Sequence, residues 1–406
     1  SRFNPVLVGS STTGTSPSSL SVSGRYAFVI NEGNTLQVFD ISTSSPALVG
    51  SITTGVSSNS IFVAGRYAYV VNRGSGIPSS ATLQIFDISN PSSPTSVGSI
   101  VIGGAMTISS VFVSGRYAYV TNFNTSTLQV FDVSNPASPV SVGSVSTGAG
   151  PHSVFVSGKY AYTANNTAST LQVFDISNPS APVSVGSVST GAGPISIYVS
   201  GRYAYTANFS GGNLQVFDIS NPSAPVSVGS ATAGGQPRSV FVSGRYAYVV
   251  NRLSDHLQIF DVSNPALPIV VGVVTAIDDF RSIYVSGRYA YATSYNSSLF
   301  YVFDISGLET TSAIVHSLEA GNLQVRNDII AQGQLQISGG INVGSGGIFS
   351  AGPLSVSIAS STQTNPTSAF FQGNVGIGTT SPYSLLSVVG TIVTQNIIAT
   401  STTATS

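Results

Sequence analysis

Apolar residues in this chain come in short clusters, never at helical spacing over a long run. Over 195–231 four phrases follow one another: ISIYVSG (195–201), RYAYTAN (202–208), NLQVFDIS (213–220) and APVSVGSV (224–231). Each is rich in Val, Ile, Tyr and Phe and is bounded by Gly, Asn, Ser or Pro, the pattern of short strands. A Ser-Gly between the first two suits a two-residue hairpin turn, and SNPSAP between the last two suits a Pro-Asn-Ser turn. The spacing therefore predicts four antiparallel strands per unit.

The unit repeats. GRYAF stands at 24–28 and GRYAY at 65–69, 115–119, 201–205, 244–248 and 287–291, with GKYAY at 158–162. From the third copy on, the copies are 43 residues apart. A fixed period of this length, made of short strands, predicts a ring or solenoid of identical units. The third-strand phrase also occurs in every unit, ending at 300–304 as FYVFD. The fourth-strand phrase follows only the first six units, as PALVG (46–50), PTSVG (94–98), PVSVG (139–143, 182–186, 225–229) and PIVVG (268–272). Its missing copy stands at the other end of the chain, PVLVG at 5–9. The expected fold is all-β: a seven-bladed β-propeller over 1–306, closed by its N-terminal strand, which leaves no unpaired blade edge in the ring.

These phrases, in the order GRYAY hairpin, LQVFDISNP strand and turn, then PVSVG, resemble the LVIVD-repeat propellers, bacterial and archaeal proteins mostly found at the cell surface. The resemblance covers residues 3–305. LQVFD stands where the family has LVIVD, so Gln and Phe replace two aliphatic residues. The resemblance implies the fold and no particular activity.

Charge adds a second regularity. Charged residues make up only 7% of the 406 residues, against roughly 25% in ordinary soluble domains. Much of that charge is repetitive. A cation opens the second strand and an Asp closes the third in each unit: Arg25 and Asp40, Arg66 and Asp87, Arg116 and Asp132, Lys159 and Asp175, Arg202 and Asp218, Arg245 and Asp261, Arg288 and Asp304. Alternating strand directions put both members at the lower end of neighbouring strands. The expectation is a structural pair, or an Asp bonding turn amides. A calcium ring is disfavoured, since one carboxylate per blade is far from six to eight oxygen ligands.

On the opposite, upper face most loops are Ser, Thr, Gly and Asn. Charge rises around blades six and seven: Arg238, Arg252, Asp255, His256, Asp278, Asp279 and Arg281, with Tyr295 nearby. Loops on a rigid scaffold commonly carry binding, so these seven are the candidate ligand-binding set. His152, in GAGPHS, reads as an ordinary surface residue. Four Asn-x-Ser/Thr sequons, at Asn124, Asn165, Asn208 and Asn296, fall in the expected upper loops and are weak glycosylation candidates.

Beyond 306 the period ends. Residues 307–321 read as a connector with a possible short helix, AIVHSLEAG, closed by Gly321. Residues 322–406 carry brief alternating pieces such as LQV (323–325), LQI (335–337) and INV (341–343), too thin to make a core alone. A stalk of intertwined copies, as a trimer or an open filament, answers that deficit. NVGIGTTSPYSLLSVVGT (374–391) resembles the segment near the ends of phage tail fibres and related bacterial surface fibres, which implies assembly of the same kind. In such fibres a chaperone domain often follows this segment; here the residues that follow run to TSTTATS.

The net charge of −1 provides no footprint for nucleic acid or an anionic membrane. No apolar run is long enough to insert across a bilayer. The absence of cysteine removes disulfide and thiolate-metal chemistry, and no cofactor motif occurs. The start at Ser1 rather than Met suggests a processed or partial product. The expected function is an extracellular structural or adhesive subunit, on a cell surface or a virion fibre, whose main partner is itself through 307–406. The alternative is a glycan- or peptide-binding head using the upper face. An enzyme is the least favoured class: only Asp255, His256, Asp278 and Asp279 could serve as acid and base.

Overall fold

The structure, a computed structural model, describes residues 5–74, 81–103, 108–275 and 279–305, together with the backbone of 375–377 and 386–388. Seven four-stranded antiparallel sheets follow one another in chain order. In blade five the strands are Pro194–Ser200, Tyr203–Asn208, Asn213–Asp218 and Val226–Thr232, from the inside out. The outer strand of blade seven is Val6–Thr12, paired antiparallel with Leu299–Asp304 from Val6 opposite Asp304 to Thr12 opposite Leu299. The ring is therefore closed by the chain's own first strand, as the displaced PVLVG phrase predicts.

Each blade is covered on both faces by its neighbours, so the middle strands are buried throughout and read as unbroken apolar runs. In Tyr203–Asn208 every residue after the tyrosine is buried. The third-strand phenylalanine crosses between blades: Phe217 packs with Tyr162 and Val173 of blade four, and Phe39 with Tyr291, Phe300 and Val302 of blade seven. Outer strands bury less. Val140, Val183, Val226 and Ile269 each stand more than half exposed on the circumference.

The glycine of the fourth-strand phrase has a steric cause. A methyl group added at Gly186 would overlap the carbonyl oxygen of Pro222, in the third turn of the next blade. The same holds for Gly50 against Pro91, Gly143 against Pro179 and Gly229 against Pro265, and Gly9 meets the Ser44 carbonyl across the ring closure. The hairpin glycine answers a different need. Gly201 has φ +57 with open space around its Cα; it begins a two-residue turn that requires a positive φ. The turn is Gly-Arg rather than Ser-Gly. The repeated cation is thus the second turn residue, one position before the strand that the sequence pattern assigned to it.

At the lower face Arg25 bonds Asp40, and the same contact recurs as Arg66–Asp87, Arg116–Asp132, Arg202–Asp218, Arg245–Asp261 and Arg288–Asp304. Lys159 lies 3.4 Å from Asp175. Each guanidinium also lies over the ring of the following tyrosine, as Arg25 does over Tyr26 at 5.3 Å. The second carboxylate oxygen accepts the backbone N–H two residues on, 2.9 Å from Ser42 N in blade one and from Ser220 N in blade five. Asp87 is pulled down to about 2, chiefly by the Arg66 hydrogen bond and then by Ser89. Asp218 falls to about 2, led by Ser220.

At the upper end of blades one to six a buried Asn closes the second strand, and in blade seven a buried Ser294 does so. Asn165 donates to the Thr170 hydroxyl at 3.0 Å and to Gln172 Oε1 at 3.2 Å. Gln172 in turn accepts the Gly148 N–H at 2.8 Å and donates to Ser184 at 2.9 Å. The glutamine that departs from the family's aliphatic pattern thus ties the incoming loop and the outer strand to the blade. Asn165 and Asn208 are fully buried strand residues rather than loop residues, which removes them as glycosylation acceptors in the folded protein; Asn124 and Asn296 are exposed.

The chain divides into two compact units, Ser1–Val315 and His316–Ser406. In the second, Val375–Ile377 pairs in parallel with Leu386–Val388, within the segment that resembles a fibre end. The connector at 307–321 and the expected stalk strands at 323–325, 335–337 and 341–343 lie outside the described residues.

Candidate functional site: the upper mouth of the central channel

The seven innermost strands neighbour one another around the axis. Two layers of this inner wall are nearly invariant. In the first, a serine hydroxyl accepts the N–H of the next blade's inner strand: Ile61 N on Ser19 at 3.4 Å, Val111 N on Ser60 at 3.3 Å, Ile197 N on Ser153 at 3.3 Å and Val240 N on Ser196 at 3.1 Å. In the second, two residues on, a ladder of aromatic rings curves through Phe62, Phe112, Phe155, Tyr198, Phe241 and Tyr284, with centroids 4.4 to 4.9 Å apart. Blade one has the small Ser21 at this position, so the arc is open there.

Above these layers the repetition stops. The residue before the wall serine is Ser18, Asn59, Ser109, His152, Ile195, Arg238 or Arg281 in blades one to seven. All seven line one cavity of about 150 Å³ at the upper mouth. The residue after the second strand is Glu32, Arg73, Phe123, Asn166, Phe209, Arg252 or Tyr295. Glu32, Arg73 and Tyr295 line the same cavity. Phe123, Asn166 and Phe209 line an adjoining space of about 380 Å³ that shares Arg73, His152, Ile195 and Arg238 with it. The two columns that vary most from blade to blade therefore converge on one place.

Charge and apolar surface are segregated around this mouth. Tyr295 donates to Glu32 Oε2 at 2.6 Å, and Arg73 lies 4.0 Å from Glu32 while also bonding Asn59. The Glu32 bond is the main cause of a raised Tyr295 pKa. The Arg281 guanidinium lies 4.0 Å above the Tyr295 ring, and that of Arg238 5.4 Å above the Phe209 ring. Asp279 is buried and holds Arg281 at 3.2 Å and Arg252 at 3.3 Å. Its φ of +39 belongs to the repeat, since Ser16, Ser57, Gly150, Gly193 and Gln236 hold a positive φ at the same slot of their blades. Its N–H bonds Asp255 Oδ1 at 2.9 Å.

Of the candidate set, the structure brings Arg238, Arg252, Asp279 and Arg281 together, with Asp255 supporting Asp279 from behind. His256 opens the third strand of blade six opposite Thr275 and is not among the residues lining the mouth. Asp278 lies outside the described residues. His152 is not an ordinary surface residue: it is the second residue of Pro151–Ser157 and faces the mouth. Burial pushes its pKa down to about 4, so the ring is neutral at physiological pH. Its Nδ1 lies 3.0 Å from the Ile195 carbonyl. A carbonyl only accepts, so Nδ1 carries the hydrogen and Nε2 keeps its lone pair. Sequence reasoning missed Glu32, Arg73, Phe123 and Phe209 altogether. The signal for them was present: these are positions where an otherwise uniform repeat changes residue type at every blade. Among the described residues no group of three or more His, Asp or Glu is placed to hold a metal ion.

Three solved structures similar to this chain place the fold in context. A functionally unknown protein from Desulfotomaculum acetoxidans aligns with a TM-score of 0.54 and 15% identity, over 66% of this chain and 90% of that one. The computationally designed Ika8 protein aligns at 0.55 and 10% identity, over 74% and 99%. The β-propeller domain of Cps50 (Swd1) from Myceliophteria thermophila aligns at 0.60 and 10% identity, over 74% and 100%. At such identities the likeness is one of fold alone. No curated protein matches the chain. The LVIVD repeat model matches residues 14–54, 57–101, 105–147, 151–190, 195–233, 234–276 and 279–309, one match per blade. With the repeats, their blades and these matches in agreement, the chain belongs to the LVIVD-repeat family.

Proposed function

We propose that this protein is an extracellular surface or fibre subunit whose propeller is a binding head, taking a glycan or peptide group into the upper mouth. The observation that carries the reading is the convergence of the two variable columns on one cavity, on a scaffold whose other positions scarcely change. A purely structural wheel has no need of five residue types at one equivalent position. The chemistry favours binding over catalysis, because Glu32 is engaged by Tyr295 and Arg73, and His152 is anchored to a backbone carbonyl. The shared mouth residues, not the loop residues of blades six and seven alone, form the contact set.

Ser210 is exposed on the rim of the aromatic compartment. Ser210→Trp is expected to abolish retention of the full chain on a glycan array or on cell-wall material, with no change in melting temperature. Undiminished retention by this variant would sink the reading of the mouth as the binding surface.

The structural half of the proposal is self-association through 307–406. It is supported by the low charge and by the fibre-end resemblance of 374–391. Light scattering is expected to give an oligomeric mass for the full chain and a monomeric mass for a 1–306 truncation. A monomeric full chain refutes tail-driven assembly.

A further inference from the structure

We infer that the upper mouth is built for a monoanionic sugar, a pyranose bearing one carboxylate such as a uronic acid, with Arg238 reading the charge. The inference rests on the mouth being the binding surface and adds the ligand class. Its starting point is an imbalance among the arginines. Arg73 has Glu32, and Arg252 and Arg281 share Asp279. Arg238 has no acidic partner among the described residues and lies only on the face of Phe209.

The second observation concerns donors. The Nε atoms of Arg73, Arg238 and Arg281 are all buried and make no hydrogen bond. Buried donors are almost always satisfied, and a cluster of exceptions points to a missing acceptor. All three belong to residues lining one cavity of about 150 Å³. A carboxylate offers two oxygens with about four acceptor sites, and a guanidinium fork suits them. With Asp255 behind Asp279, the four arginines face three carboxylates, and the one remaining positive charge matches a single carboxylate.

The third observation sets what carries the carboxylate. The adjoining 380 Å³ compartment is walled by Phe123, Phe209 and Ile195, with Asn166 and Ser210 at its edge. Flat aromatic faces take the C–H face of a sugar ring, and the amide and hydroxyl take its hydroxyl groups. Its volume suits one or two sugar residues. The neutral His152, shared by both compartments, presents an acceptor at Nε2 to a sugar hydroxyl.

The test is calorimetric titration of the full chain with D-glucuronate, D-glucose and inorganic phosphate, repeated on Arg238→Gln and Arg238→Lys. Glucuronate is expected to bind about tenfold more tightly than glucose, the scale of a charge-assisted hydrogen bond. Arg238→Gln is expected to erase the preference, so that this variant binds glucuronate and glucose equally. Arg238→Lys should recover part of the difference. Equal binding of glucose and glucuronate overturns the charge assignment and leaves the mouth as a neutral-sugar site. Phosphate competing as well as glucuronate overturns the sugar assignment in favour of a general anion site. No binding of either sugar, with glycan retention insensitive to Ser210→Trp, overturns the mouth reading and this inference together.

Discussion

Deleting residues 1–12 is expected to convert the closed propeller into a species that aggregates on expression. The deletion removes one strand of 28 in the ring, yet it removes the strand that completes blade seven. Val6–Thr12 pairs along the whole of Leu299–Asp304. At about 1 kcal/mol net per hydrogen bond, losing that ladder costs on the order of 5 kcal/mol, comparable to the whole stability of many domains. The exposed edge is then Leu-Phe-Tyr-Val-Phe, a β-prone apolar strand with unpaired backbone groups, which is a template for intermolecular pairing. Adding a synthetic peptide of residues 1–12 during refolding should restore solubility and the original melting transition. A deletion mutant that melts like the full chain would show that blade seven is held by its three remaining strands.

Gly186→Ala is expected to destabilise the protein by about 3 kcal/mol, the upper range for overpacking a closed interior. The new methyl group would sit against the backbone carbonyl of Pro222, and a carbonyl in a tight turn cannot rotate away as a side chain could. Relief requires blades four and five to separate, which disturbs the Phe217 contact with Tyr162 and Val173. The control is Val183→Ala, three residues away on the same strand and 57% exposed, where a change within about 0.5 kcal/mol is expected. Chemical denaturation of the two variants side by side checks the claim. Equal midpoints would mean that the repeated glycine answers some need other than blade-to-blade contact.

The architecture was legible because it is written in local units. A 43-residue period, four strand phrases and one misplaced copy of the fourth phrase were enough to derive seven blades and their closure. The lower-face Arg–Asp contacts were equally legible, since both residues recur at fixed places in every unit. The hairpin was misplaced by one residue because SG and GR both suit a tight turn, and only the positive φ at glycine distinguishes them. Asn165 and Asn208 were misread because a motif of three residues carries no information on burial.

The mouth was not legible. Glu32 and Tyr295 are 263 residues apart and hydrogen-bonded, and no local pattern links them. Attention to charge density picked out Arg238, Arg252, Asp279 and Arg281 in blades six and seven, where several charges fall close in sequence. It passed over Arg73 and His152, each the lone titratable residue of its stretch.

The repeating unit, the number of blades and the strand that latches the ring are written along the chain, because strand formation and turn chemistry depend on neighbours within a few dozen residues. Folding in three dimensions sets which residues face one another across the axis, which asparagines are shut away from solvent and which arginine lacks a carboxylate among the described residues. Closing a ring brings equivalent positions of all blades to one centre, so a difference of one residue per blade, invisible along the chain, becomes a shaped and charged site.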